Sequence, residues 1–162
     1  MVKERYNWER DKQDELFEEI FALAHIPISF ITKGYCPEYD VLDMQTGEKY
    51  EVKRDYRCIE TNNILVEEYF NAEAGKEGWL YHTEADYYVI FITDYLYTII
   101  NMWKLKNDFF NRISKWYKAD IKQEDGSTTI NWVTDINNFE HDFFLSQPPP
   151  PYFHWNLEKG VL

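Results

Sequence analysis

YDVLDMQTGEKYEVKRD, residues 39–55, decides the reading of this chain. It reads as two short strands, YDVLDM and KYEVKR, joined by a turn centred on Thr46-Gly47, where glycine supplies the positive φ of a tight connection. If Met44 lies opposite Lys49, then Leu42 meets Glu51 and Asp40 meets Lys53. Two-residue alternation then gathers Asp40, Glu51 and Lys53 on one face and sends Val52 to the other. A bulge that slips the pairing by one residue would bring Asp43 there in place of Asp40, and the sequence leaves that register open. Charged groups at a sheet are costly unless paired or used. Two carboxylates a few ångströms apart suit a divalent cation, and Mg²⁺ takes one or two carboxylates while keeping waters for a phosphate. A neighbouring lysine can place such a water or offset charge on phosphorus.

Asp40 followed by Glu51-x-Lys53 resembles the PD-(D/E)XK motif of the restriction-endonuclease-like nuclease superfamily. Further stretches are similar to members found in phages and mobile elements: Glu51 to Asp55, Thr61 to Glu67, Gly78-Trp79 and Ala85-Asp86-Tyr87. Together the likeness spans residues 10–105. Glu38-Tyr39 stands before Asp40 where the motif name has proline, and Pro37 lies three residues earlier. The resemblance implies an α/β fold with an αβββαβ core, a mixed central sheet flanked by helices, here with C-terminal additions. It implies a Mg²⁺-dependent deoxyribonuclease, with Mn²⁺ able to substitute. Asp40, Glu51 and the Val52 backbone carbonyl would hold the metal, and Lys53 would complete the catalytic set. The first helix of such proteins often adds a glutamate, for which Glu15 and Glu18 stand in line; Glu67 is a further candidate acid.

Composition bounds the alternatives. With 162 residues, 44% of them apolar and 19% aromatic, the chain is expected to form one domain over residues 1–147, followed by a proline-rich tail over 148–162. A net charge of −12 excludes a general nucleic-acid coat, because phosphate binding is dominated by lysine and arginine. It leaves room for a local basic lining. Cys36 and Cys58 have neither metal-ligand nor disulfide spacing, and no run of eighteen apolar residues appears, so a cytoplasmic protein without membrane contact is expected. The alternative to a nuclease is a catalytically silent acidic binding protein of the same fold, contacting a protein partner or mimicking DNA. The aromatic surface and the tail, which holds four consecutive prolines from Pro148, suit a homodimer or a protein partner.

Around the hairpin, Trp8 to His25 has the apolar spacing of an amphipathic helix, ended by Pro27. Ile28 to Thr32 is a short strand or connection, and Asn63 to Phe70 reads as the third strand. Trp79 to Ala85 is expected to cross the sheet, and Asp86 to Thr93 is a buried strand partnered by Tyr95 to Asn101. Lys104 to Lys122 reads as a helix with six basic against two acidic residues. A DNA-contacting strip would comprise Lys49, Arg54 and Arg57 beside the hairpin, and Lys104, Lys106, Arg112 and Lys115 on the helix, with Trp116 and Tyr117 free to stack. Thr128 to Thr134 is a strand and Asn138 to Leu145 a short helix.

Overall fold

The computed structural model describes residues 8–32 and 36–146, without the side chains of residues 8–13. The proline-rich tail lies outside the described residues. The protein is mixed α/β, with a mixed six-stranded sheet, a four-stranded antiparallel sheet and several helices. Helix α1 (Trp8–His25) leads into β1 (Ser29–Ile31), β2 (Val41–Asp43) and β3 (Lys49–Arg54), which pair antiparallel in sequence order. β6 (Tyr87–Phe91) lies parallel to β3 on its other side. β7 (Leu96–Asn101) and β10 (Phe143–Leu145) complete the large sheet, both pairings antiparallel.

The connection from β3 to β6 carries much of the second sheet. It contains α2 (Cys58–Thr61), β4 (Asn63–Asn71), β5 (Lys76–Glu77) and α3 (Trp79–His82). After β7 come α4 (Met102–Arg112), β8 (Tyr117–Lys122) and β9 (Thr128–Asp135); the smaller sheet runs β5-β4-β9-β8. Two apolar clusters hold the layers. Phe17, Ile20 and Phe21 of α1 pack on Val41, Val52, Val89 and Phe91 from one face of the large sheet. On its other face, Tyr88, Ile90 and Ile100 meet Ile64 and Val66 of the smaller sheet and Leu105 and Phe109 of α4.

Several expectations need correction. Asn63 to Phe70 is a strand, but it belongs to the second sheet; the third strand beside the hairpin is β1. The basic helix ends at Arg112, a 3₁₀ turn covers Ile113–Lys115, and Tyr117–Lys122 is an edge strand paired with β9. Trp116 fixes that break. It is 5% exposed, packs against Phe109 and Phe139, and donates its indole N–H to Asp108 at 2.8 Å, so it cannot stack on a ligand. The segment expected as a helix over 138–145 is a 3₁₀ turn at Ile136–Asn138 followed by β10. Here tertiary pairing overrides weak local preference, because Phe143–Leu145 completes a ladder on β7.

Candidate active site

The hairpin register differs from the expected one by two residues. Val41 faces Tyr50 and Leu42 faces Lys49, so a longer loop spans Met44 to Gly47, with Gly47 at φ 79°. Because side chains alternate with a period of two, an even slip preserves the face. The Asp40 amide donates to the Tyr50 carbonyl at 2.9 Å, so Asp40 lies with Val41 opposite Tyr50 at the end of the ladder rather than opposite Lys53. Asp43 goes elsewhere. Its Oδ1 accepts the amides of Gln45 and Thr46 at 2.7 and 3.2 Å, and these bonds hold its carboxyl below the usual range as the anchor of the loop.

Asp40, Glu51 and Lys53 converge. Lys53 Nζ lies 2.7 Å from Glu51 Oε1 and 3.3 Å from Asp40 Oδ2, so one ammonium bridges both carboxylates. Asp40 Oδ2 also accepts the Val52 amide at 2.7 Å. Strand geometry sends the Val52 carbonyl to the same strand edge as that amide, just past the last β2–β3 pair at Val41–Tyr50. The side chains of Glu51 and Asp40 are 4% and 12% exposed and that of Lys53 36%, while the Lys53 ammonium itself is enclosed between the two carboxylates.

The electrostatics follow from this burial. Burial pushes the Glu51 carboxyl up, Lys53 pulls it down and Asp40 pushes it up again, leaving it raised. Burial alone would lower the Lys53 amine, but Glu51 and Asp40 more than offset it and hold the amine well above its ordinary value. Glu18, one turn along α1 from Asp14, is 7% exposed. Burial and the Asp40 charge, opposed in part by Lys53, raise its carboxyl from 4.5 to about 8. α1 thus brings Glu18 into the field of the cluster, while half-buried Glu15 acts on it only as a further repelling charge. Glu67 lies on β4 opposite Asn131, with its backbone against Gly78.

Two further residues complete the surroundings: Thr83, to which the sequence assigns no role, and Lys106, a member of the expected DNA-contacting strip. The Thr83 hydroxyl lies within hydrogen-bonding reach of Glu51 Oε2 at 3.3 Å and of the Glu38 carbonyl at 3.1 Å. Lys106 donates to the Thr83 carbonyl at 2.7 Å; burial lowers its pKa and the Glu51 charge opposes that. Lys106 was expected on an exposed basic strip, and Thr83 carried no signal, since only the α3–β6 connection brings it to β3.

The remaining basic candidates are mostly engaged. Lys49 pairs with Glu84 at 2.8 Å, Arg54 with Asp14 at 3.0 Å, Lys104 with Glu140 at 2.9 Å and Arg112 with Asp108 at 2.8 Å. Arg57 stands at the N-terminus of α2 and Lys115 in the exposed 3₁₀ turn. Asp86 accepts the Lys49 amide at 2.9 Å and so ties β6 to the hairpin.

The arrangement is a carboxylate pair with a bound ammonium, a backbone carbonyl at its edge and a third, charge-suppressed carboxyl nearby. Among the described residues no group of three or more His, Cys, Asp or Glu side chains is set to hold a metal ion. A Mg²⁺ ion asks for less, since one or two carboxylates and a carbonyl suffice with water in the other positions. Among the described residues no helix is long and apolar enough to cross a membrane. No family model matches the sequence, and no curated protein or solved structure matches the chain.

Proposed function

We propose that this protein is a Mg²⁺-dependent nuclease that hydrolyses phosphodiester bonds in DNA. The observation that carries the reading is the convergence of Asp40, Glu51 and Lys53 at one edge of β3. The order of helix, three antiparallel strands, crossover and parallel fourth strand also favours a restriction-endonuclease-like αβββαβ core, with β7 to β10 as additions.

The residues fit a Mg²⁺ site in donor chemistry. Asp40, Glu51 and the Val52 carbonyl would hold the ion, and the Glu18 carboxyl, raised chiefly by burial and then by the Asp40 charge, stands near them. When bound, Mg²⁺ supplies a Lewis acid that makes water nucleophilic at neutral pH and offsets charge on the phosphate. The protein's own groups do the rest. Lys53, charged throughout the neutral range, holds its ammonium between the two carboxylates, where it would stabilise charge developing on a phosphoryl oxygen brought to the cluster. Glu51 is fixed by Lys53 on one oxygen and by Thr83 on the other, so it enters the reaction already oriented. Most of the remaining basic side chains are spent in ion pairs, so substrate binding rests on the site and its rim.

The test is cleavage of single-stranded, duplex and branched DNA in Mg²⁺ and Mn²⁺, with metal binding followed by calorimetry. Lys53→Ala should lower turnover by about 10²- to 10³-fold, the range for removing one preorganised charge donor. Glu51→Gln should abolish both cleavage and calorimetric Mg²⁺ uptake with an unchanged circular dichroism spectrum. A Glu51→Gln variant that still binds Mg²⁺ and cuts at the native rate would sink the assignment.

A further inference from the structure

A cavity of about 580 Å³ adjoins the cluster through Thr83, whose hydroxyl lies at Glu51 and which itself lines the cavity. Lys106 and Trp103, one turn apart on α4, form part of the same wall. Their side chains differ in freedom. Lys106 is tied by its amine to the Thr83 carbonyl, whereas Trp103 is 72% exposed, an apolar ring left to solvent at the cavity's rim. Glu48, Glu84 and Asp86 also line it; Glu84 is paired with Lys49, Glu48 accepts the Tyr50 and Tyr87 hydroxyls, and Asp86 accepts the Lys49 amide.

That combination selects a ligand. Three carboxylates, only Glu84 of them paired with a lysine, disfavour a phosphate in the interior, so a nucleotide's phosphate would stay outside, toward Lys53. An uncharged base has no such penalty, can stack on the indole, and can donate an exocyclic amino N–H to a carboxylate, as cytosine and adenine do. A base held in a duplex cannot reach in without leaving its stack. We infer that the cavity receives an unpaired nucleobase, preferentially an amino-bearing one, stacked on Trp103, and that single-stranded or locally unpaired DNA is the substrate class. The inference rests on the nuclease reading for the position of the phosphate.

The experiment is fluorescence anisotropy in EDTA and low salt, so that nothing is cut. Labelled dA, dC and dT oligomers and a mixed-sequence duplex are titrated with the full chain, Trp103→Ala and Trp103→Phe, and cleavage of the same DNAs is run in parallel with Mg²⁺. Trp103→Ala should weaken binding to dA and dC strands by about 10- to 100-fold, the range one stacked base supplies. Trp103→Phe should keep most of the affinity, and duplex binding should be weak and indifferent to either change. Equal single-strand affinity in wild type and Trp103→Ala, or dT binding as tightly as dA and dC, would overturn the inference. Cleavage by wild type together with Trp103-independent binding would remove the base pocket and leave the nuclease standing. Trp103-dependent strand binding without any cleavage would do the reverse.

Discussion

Replacing Glu18 with glutamine tests the electrostatics of the cluster without any assumption about substrate. The Glu18 carboxyl is raised from 4.5 to about 8, chiefly by burial and then by Asp40. A carboxyl whose folded value lies above its unfolded one holds its proton more tightly when folded. Its contribution is therefore fully favourable below pH 4.5, declines as pH rises, and levels off above about pH 8. Each pH unit in that window costs about 1.4 kcal/mol, so the wild type gives up about 3 kcal/mol by pH 7 and about 5 kcal/mol above pH 8. Glutamine occupies the same volume and carries no charge. Glu18→Gln should therefore match the wild type at pH 4.5 and exceed its stability by about 3 kcal/mol at pH 7. Urea denaturation of both proteins in EDTA, from pH 4.5 to 9, reads this difference directly. A gap that does not change with pH would show that Glu18 ionises as an ordinary glutamate, free of the burial and of the Asp40 charge that raise it here.

Three further outcomes can be measured. Thr83→Val deletes the hydroxyl between Glu51 and the Glu38 carbonyl at nearly constant volume, and should cost about 1–3 kcal/mol in denaturant while loosening Glu51; equal stability would mean that this bond is not formed. Gly78→Ala should destabilise by about 1–3 kcal/mol or more, because an added Cβ would collide with the Glu67 backbone carbonyl at a position whose φ of −77° is itself unstrained. A neutral effect on the thermal midpoint would refute that contact. Trp116→Phe removes the indole bond to Asp108 and part of a buried ring, and should cost about 2–4 kcal/mol in chemical denaturation; a loss of DNA affinity at unchanged stability would instead place Trp116 at the surface.

Local chemistry carried a good part of the outcome. The apolar spacing of α1 and the breaking proline at 27 are properties of neighbours in sequence, and the helix runs from Trp8 to His25. The hairpin was legible for the same reason: alternating side chains and a glycine that accepts positive φ specify two strands and a turn. Its register was misjudged by two residues, yet the face of Asp40, Glu51 and Lys53 survived, because an even slip conserves side-chain direction. The buried strands β6 and β7 were visible as apolar runs for which a sheet interior is the natural place.

Only tertiary structure decided which strands share a sheet. Asn63–Asn71 has the alternation of any half-buried strand, and nothing in it says that its partner is β9, far later in the chain, rather than the hairpin beside it. The same holds for the basic segment after Met102: lysines are compatible with helix or edge strand, and the burial of Trp116 against Phe109 and Phe139 ends the helix where the second sheet begins. Sequence spacing could place Asp40, Glu51 and Lys53 on one face, since the hairpin that joins them is local. It could not choose Glu18 over Glu15, or supply Thr83 and Lys106, because those side chains reach the cluster from α1, the α3–β6 connection and α4. Their approach depends on how helices lie against the sheet, and that is set by the summed packing of two apolar clusters rather than by any residue's neighbours in the chain.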